Sequence, residues 1–306
     1  MSTVDSSVLF QRVQGHAEAG FATIHTEVQH SPEGIPYLLA PAVVMLARPS
    51  VQIAGLAGFL QGFDPALNFA EYTSDPTPLP DGAQLCKIAG QVCYMSFGRM
   101  RSMNAQAKRY FDNLKSSGHG SVFEHANYSL LFYGISRSVT HELVRHRSGF
   151  GYSQLSQRYV SGRMLRFVER PEYQSDDLLH EQFLRRIERA ADEYATLTNR
   201  LLEMQKAGVS ILTAEAKTDL RKKVQQSARS VLPNETEAPI VVTGNVRAWR
   251  HFIEERASAH AEVEIRALAI RAFLCLQQAD PVLFDDYTVE QRSDGTYTVK
   301  TDFVKV

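Results

Sequence analysis

Along the 306-residue chain the spacing of apolar positions changes several times, and each change predicts an element. Tyr37 to Ala47 is a short apolar run open to either strand or helix, whereas Val51 to Leu60 suits an amphipathic helix. Residues 74–82, Ser-Asp-Pro-Thr-Pro-Leu-Pro-Asp-Gly, are turn and linker chemistry. They mark the expected boundary between an N-terminal extension, residues 1–75, and the main domain, residues 76–306. Leu85, Ile88, Ala89, Val92 and Cys93 recur at helical spacing, and a second helix is expected over Asn104 to Leu114. Gly118-His119-Gly120-Ser121 breaks the pattern, after which Tyr128, Leu130 and Phe132 alternate as in a strand with one apolar face. Ser136 can cap a helix running through Val139, Leu143 and Val144. Phe183, Ile187, Ala191, Tyr194, Leu197 and Leu201 form a further helical stripe, stopped by Gly208. Another helix is expected from Thr213 to Leu232, ahead of Pro233.

From Asn245 to about Gln278 the pattern predicts one long helix. Trp249, Phe252, Ile253, Val263, Ala267, Ile270 and Leu274 share a stripe, with Arg256 near its centre and His260 one turn further on. An arginine facing a core is costly unless it meets an anion or a structural carboxylate such as Glu124, Glu255 or Glu264. Both readings stand on periodicity alone. Ser293-Asp294-Gly295 reads as a hairpin turn.

Composition narrows the function classes. Apolar residues make up 44% and charged residues 22%, as in an ordinary globular protein. A formal net charge of −1 gives no global field to gather nucleic acid. Cys86, Cys93 and Cys275 form neither a disulfide framework nor a paired thiolate motif, which predicts a reducing, cytoplasmic setting. No leader pattern or long apolar run predicts export or membrane insertion. There is no repeat, phosphate loop or dinucleotide fingerprint.

Local charge is more telling. Arg145 to Tyr159 holds three arginines and one histidine with no acidic side chain. Guanidinium forks suit phosphate oxygens, although such a run also fits the solvated carboxyl end of a helix. Gly149 and Gly151 then break the helix, and the small polar run after them is expected to be a loop offering N–H groups and hydroxyls. Six histidines (His119, His125, His141, His146, His251 and His260) fall in the same segments as the arginines. His141 and His146 are five apart and no cysteine or acidic pair completes a ligand set, so no metal is expected. There is no Gly-x-Ser-x-Gly elbow, and no cysteine has an activating neighbourhood. Asn245 to His251 opens a helix whose N-terminal N–H groups suit a ring or a phosphate, or is simply a capped start.

Together these residues carry a family pattern. From about Leu85 to the C-terminus the chain resembles the flavin-dependent thymidylate synthases, whose signature is met by Arg145-His146-Arg147 and Ser156-Gln157-Arg158-Tyr159. Three more blocks agree in order: Gly118 to Ser121 with Glu124-His125, Arg229-Ser230-Val231-Leu232-Pro233, and Asn245 to Ile265. The resemblance implies an α+β fold with a central β-sheet packed by long helices, and a homotetramer with shared active sites. It implies FAD as cofactor, with methylenetetrahydrofolate as carbon donor and NADPH as reductant, in the C5-methylation of dUMP to dTMP. By position, His119, Ser121, Arg145, His146, Arg147, Asn245, Arg247 and His251 match cofactor contacts. Glu142, Arg145, Gln154, Leu155, Ser156, Gln157, Arg158 and Arg229 match substrate contacts, and Arg256 matches the catalytic arginine on the uracil ring. No enzyme cysteine attacks the ring in this family.

The chain departs from the pattern in three places. Ser148 to Leu155 makes the spacer eight residues, one longer than usual; Gln154 stands where many members have glutamate and Glu142 where glutamine is common; and the N-terminal seventy-odd residues exceed the usual family length. The first two departures line the nucleotide pocket, so the same chemistry on UMP, in a nucleoside-modifying pathway, stays open beside dUMP. A non-catalytic nucleotide- or RNA-binding protein is the reading from another class, and near-neutral charge without interleaved aromatics argues against RNA.

Overall fold

The computed structural model describes residues 2–159, 164–304 and 306. The chain opens with strand β1 (Ser2–Val4) and helix α1 (Ser6–Arg12), whose first turn is capped by the Asp5 carboxylate. Strands β2 (Gly15–Glu18), β3 (Phe21–Ile24), β4 (Val28–His30), β5 (Pro36–Leu38) and β6 (Ala42–Ala47) follow. The one-turn helix α2 (Ala57–Leu60) then leads to α3 (Asp81–Cys93) and α4 (Ala107–Ser116). Next come β7 (Asn127–Tyr133), α5 (Arg137–Leu143), β8 (Phe150–Gln154), β9 (Phe167–Val168), α6 (Asp177–Lys206) and α7 (Lys217–Ala228). The chain closes with β10 (Ile240–Asn245), α8 (Val246–Arg256), α9 (Val263–Ala279), α10 (Pro281–Phe284), β11 (Thr288–Gln291) and β12 (Tyr297–Lys300).

Six strands form the main sheet in the order β2-β3-β6-β7-β10-β8, antiparallel throughout. Its centre is β7, where Tyr128, Leu130 and Phe132 are buried, as their alternation predicts. Full burial of Leu130 and of Phe132 contributes about 1.5–3 kcal/mol each. Helix α9 packs across β3 and β6, and α8 packs on α9. Trp249 of α8 anchors this layer by donating its Nε1 proton to the Tyr128 carbonyl at 3.3 Å. Two three-stranded sheets, β1-β11-β12 and β4-β5-β9, flank it. Strands from residues 15–47 supply half of the main sheet, and Leu9, Ile24, Val43 and Met45 share one core with Leu130 and Phe273.

Several expectations resolve differently. Tyr37 to Ala47 becomes two strands rather than one element. The helix expected over Val51 to Leu60 is a 3-10 turn (Ile53–Leu56) followed by one α turn, since Gly55 and Gly58 each weaken a helix there. The helix from Thr213 to Leu232 shrinks to α7 plus a 3-10 turn at Arg229–Val231. The polar run after Gly149 is strand β8, not a loop: Phe150 and Tyr152 are half-buried and alternate with exposed Gly151 and Ser153. The single helix expected from Asn245 to Gln278 is two, separated by residues 257–262. The break has a local cause, because the Glu262 carboxylate accepts the N–H groups of Glu264 and Ile265 and so starts a new helix. Arg256 therefore ends α8, and His260 lies exposed in the connection.

Candidate functional site

Three elements converge on the site. Helix α5, capped by Ser136, carries Glu142 at its carboxyl end. The chain turns through Arg145 to Gly149 and returns as β8, paired to β10 from Gly244↔Phe150 to Ile240↔Gln154. Strand β10 runs straight into α8, whose cap is Asn245: its Oδ1 accepts the Ala248 N–H at 2.9 Å. Gly149 is required where the turn meets this cap. Its φ is +76°, and a Cβ there would lie 2.9 Å from both Asn245 Nδ2 and Ala248 Cβ. Tyr152 staples the turn by hydrogen-bonding the His146 carbonyl at 2.5 Å.

Arg256 is held from two sides. Its Nη1 donates to Glu142 Oε2 at 2.9 Å, and its Nε donates to His146 Nε2 at 2.9 Å. The carboxylate facing Arg256 is therefore Glu142, and none of Glu124, Glu255 or Glu264. Glu124 instead pairs with Arg247 at 2.6 Å, while Glu264 is buried on the Ser136 N–H and hydroxyl. His146 lies edge-on to Phe252, and burial, then Arg256 and His251, push its pKa down to about 4.

Two clefts meet at Arg247. One, of about 600 Å³, is bordered by Glu124, Ser148, Asn245, Arg247 and His251. The other, of about 440 Å³, is bordered by Tyr94, Tyr110, His119, Ser121 and again Arg247. Gly120 lets the Arg247 side chain lie between them, since a Cβ at Gly120 would stand 2.9 Å from Arg247 Nε. Arg145 and Arg147 are exposed on the turn beside the first cleft, with Arg145 Nε donating to the His141 carbonyl at 3.2 Å.

Of the residues expected on the substrate, Gln154 reaches back to α5, donating to Thr140 Oγ1 at 3.2 Å. Leu155 and Gln157 face a small separate recess with Tyr194 and Leu232. Ser156 Oγ accepts the Arg158 N–H at 3.3 Å, and the Arg158 guanidinium stands 5.9 Å from the Tyr159 ring. Arg229 is half-buried at the end of α7. Among the described residues no hydrogen bond joins Arg229 to Ser156, although Lys222 of α7 stands 5.6 Å from the Tyr159 ring. Val304 and Val306 also border the first cleft, fixed there by Arg250 Nε on the Val306 carbonyl at 2.9 Å. Nothing in the local sequence of the tail signals this contact. Cys86 and Cys275 are buried, and burial pushes the Cys86 thiol up to about 12, so neither offers a thiolate. Among the described residues no cluster of three metal-ligating side chains occurs, and no helix is long and apolar enough to cross a membrane.

Known proteins place this geometry in context. Residues 74–282 match the family described as thymidylate synthase complementing protein. The flavin-dependent thymidylate synthase of Mycolicibacterium gilvum (strain PYR-GCK) is 43% identical over 221 residues, 72% of this chain and 85% of that protein. The protein of the same name from Mycobacterium leprae (strain Br4923) is 42% identical over 220 residues, 72% and 85% of the two chains. That of Corynebacterium aurimucosum is 44% identical over 213 residues, covering 69% and 82%.

Proposed function

The chain belongs to the family of flavin-dependent thymidylate synthases, and on that premise we propose that it methylates dUMP at C5 to give dTMP. The carbon comes from methylenetetrahydrofolate and the reducing equivalents from NADPH, with FAD as the flavin. The observation that carries this reading is the placement of Arg256 on neutral His146 and Glu142, beside the cleft bordered by Asn245, Arg247 and His251.

The residues present fit a flavin dinucleotide. The start of α8 offers N–H groups, Arg247 offers a guanidinium in reach of both clefts, and the Arg145–Arg147 turn adds exposed cations for a pyrophosphate. His119, Ser121, Asn245, Arg247 and His251 border the clefts, with His146 in the adjoining wall. The bound flavin supplies the hydride chemistry, and the protein orients and polarises.

Arg256 performs the polarisation. A guanidinium in a partly dry site favours the anionic form of a uracil ring placed against it. His146 accepts one guanidinium N–H and adds no positive charge, so the cation stays available to the ring. Glu142 fixes the fork from the other side and leaves Nη2 free of protein hydrogen bonds among the described residues. Gln154, Ser156, Arg158 and Arg229 hold the nucleotide. The family resemblance implies that further copies in a homotetramer complete the site. Purified protein incubated with NADPH, methylenetetrahydrofolate and either dUMP or UMP tests the reading. Formation of dTMP supports it, and turnover of UMP alone moves the substrate to the ribonucleotide.

A further inference from the structure

A third cleft, of about 240 Å³, lies away from Arg247, between α1, the first turns of α9 and the turn joining β11 to β12. Its walls are mostly apolar: Leu9 and Val13 from α1 and its end, Ala267 and Ile270 from α9, and Tyr297 from β12. Val263, Arg266, Ala267, Ile270 and Arg271 share one face of α9 and line it.

The two arginines of that face differ. Arg266 is committed to the protein, with Nη1 on the Ala259 carbonyl at 3.3 Å and Nη2 on Thr296 Oγ1 at 3.2 Å. Arg271 has no such partners among the described residues, and its Nε is buried without any acceptor. Among the described residues no carboxylate pairs with it, and burial pushes the guanidinium down to about 10. A guanidinium whose Nε is buried without an acceptor costs free energy that an anion in the cleft removes.

We propose that this cleft is a binding site for a small organic monocarboxylate, with its carboxylate on Arg271 and its apolar body between Leu9, Val13 and Ile270. One free guanidinium matches one carboxylate in a bidentate pair, whereas a phosphate dianion would bring a second charge among apolar walls. At roughly 30 Å³ per atom the cleft holds about eight non-hydrogen atoms, the size of hexanoate. Leu9, Val13 and Tyr297 lie outside residues 74–282, the span that matches the family. Its lining shares no residue with either cleft at Arg247, so the proposal does not depend on the reaction proposed there.

Calorimetric titration of the full chain with hexanoate tests this, with hexanol and hexylamine as neutral and cationic controls. Hexanoate is expected to bind with a Kd of roughly 0.1–1 mM, as a ligand of this size allows, and the controls at least tenfold more weakly. Arg271→Met is expected to lose hexanoate binding. Ala267→Phe, which fills the cleft and keeps the charge, is expected to lose it as well and stands in should Arg271→Met fail to fold. No saturable hexanoate binding, or hexanol binding as tightly as hexanoate, overturns the proposal. So does a change of oligomeric state in Arg271→Met without hexanoate binding to the parent protein, because the anion would then be a carboxylate of a second copy.

Discussion

Arg256 and His146, 110 positions apart, are joined by one hydrogen bond in which the guanidinium Nε is donor and the imidazole Nε2 is acceptor. The imidazole must therefore be neutral, with its proton on Nδ1. Burial and the facing cation both oppose protonation, which places its pKa at about 4 against an ordinary 6.5. As pH falls from about 6.5 to about 4 the unfolded chain takes up a proton that the folded chain refuses. The stability contribution of His146 is thus intact above that window, lost across it and constant below it. Thermal unfolding followed against pH should show a shallower loss between pH 6.5 and 4 in His146→Gln, which keeps an acceptor for Arg256. An unchanged slope would remove His146 from the account.

Arg256→Ala should lower kcat by about 10²–10³-fold, the usual scale for losing a preorganised electrostatic partner of a transition state. Flavin content should stay at the parental level, read from the visible absorbance of the purified protein. Turnover close to the parent would refute the role given to the guanidinium.

Arg247 borders both clefts from the second residue of α8, so Arg247→Ala should loosen the flavin more than it slows chemistry. A roughly tenfold rise in flavin Kd, equivalent to about 1.4 kcal/mol, is expected in reconstitution titrations. Glu124→Gln, which leaves the arginine in place without its counter-charge, should change affinity less. Equal affinity in Arg247→Ala and the parent would contradict the contact.

Gly149→Ala forces a side chain into a left-handed backbone position against Asn245 and Ala248. A loss of about 1–3 kcal/mol in urea unfolding is expected. Gly151→Ala, at an exposed position with nothing near the added methyl, should cost far less. Equal losses would show that the cap contact does not matter.

How much of this was legible depends on the range of the interaction. Local signals read well: the alternation in β7, the Ser136 cap and the turn at Gly295 all depend on neighbours within a few positions. The stripe extended from Asn245 to Gln278 failed because Glu262 restarts the helix, and its capping role was not counted against a continuous apolar period. Arg256 was legible as a core-facing cation in need of a partner. Its partners were not, because Glu142 and His146 come from another element, and periodicity does not say which helix end faces which. The same holds for Val304 and Val306, which border the first cleft with Arg250 on the Val306 carbonyl. The clefts themselves were visible only as separate blocks of residues.

The sheet carries a practical consequence for anyone trimming this protein. The span that matches the family starts at residue 74, yet β6 pairs with β7 from Ala42↔Tyr133 to Ala47↔Ser129. A chain cut at residue 74 would leave β7 with one row of backbone donors and acceptors unpaired, next to the apolar face that β3 and β6 normally share with α9. An exposed strand edge of this kind invites pairing with other chains. Such a fragment should collect in the insoluble fraction on expression, and a soluble, monodisperse product would show that the rest of the sheet closes over the gap.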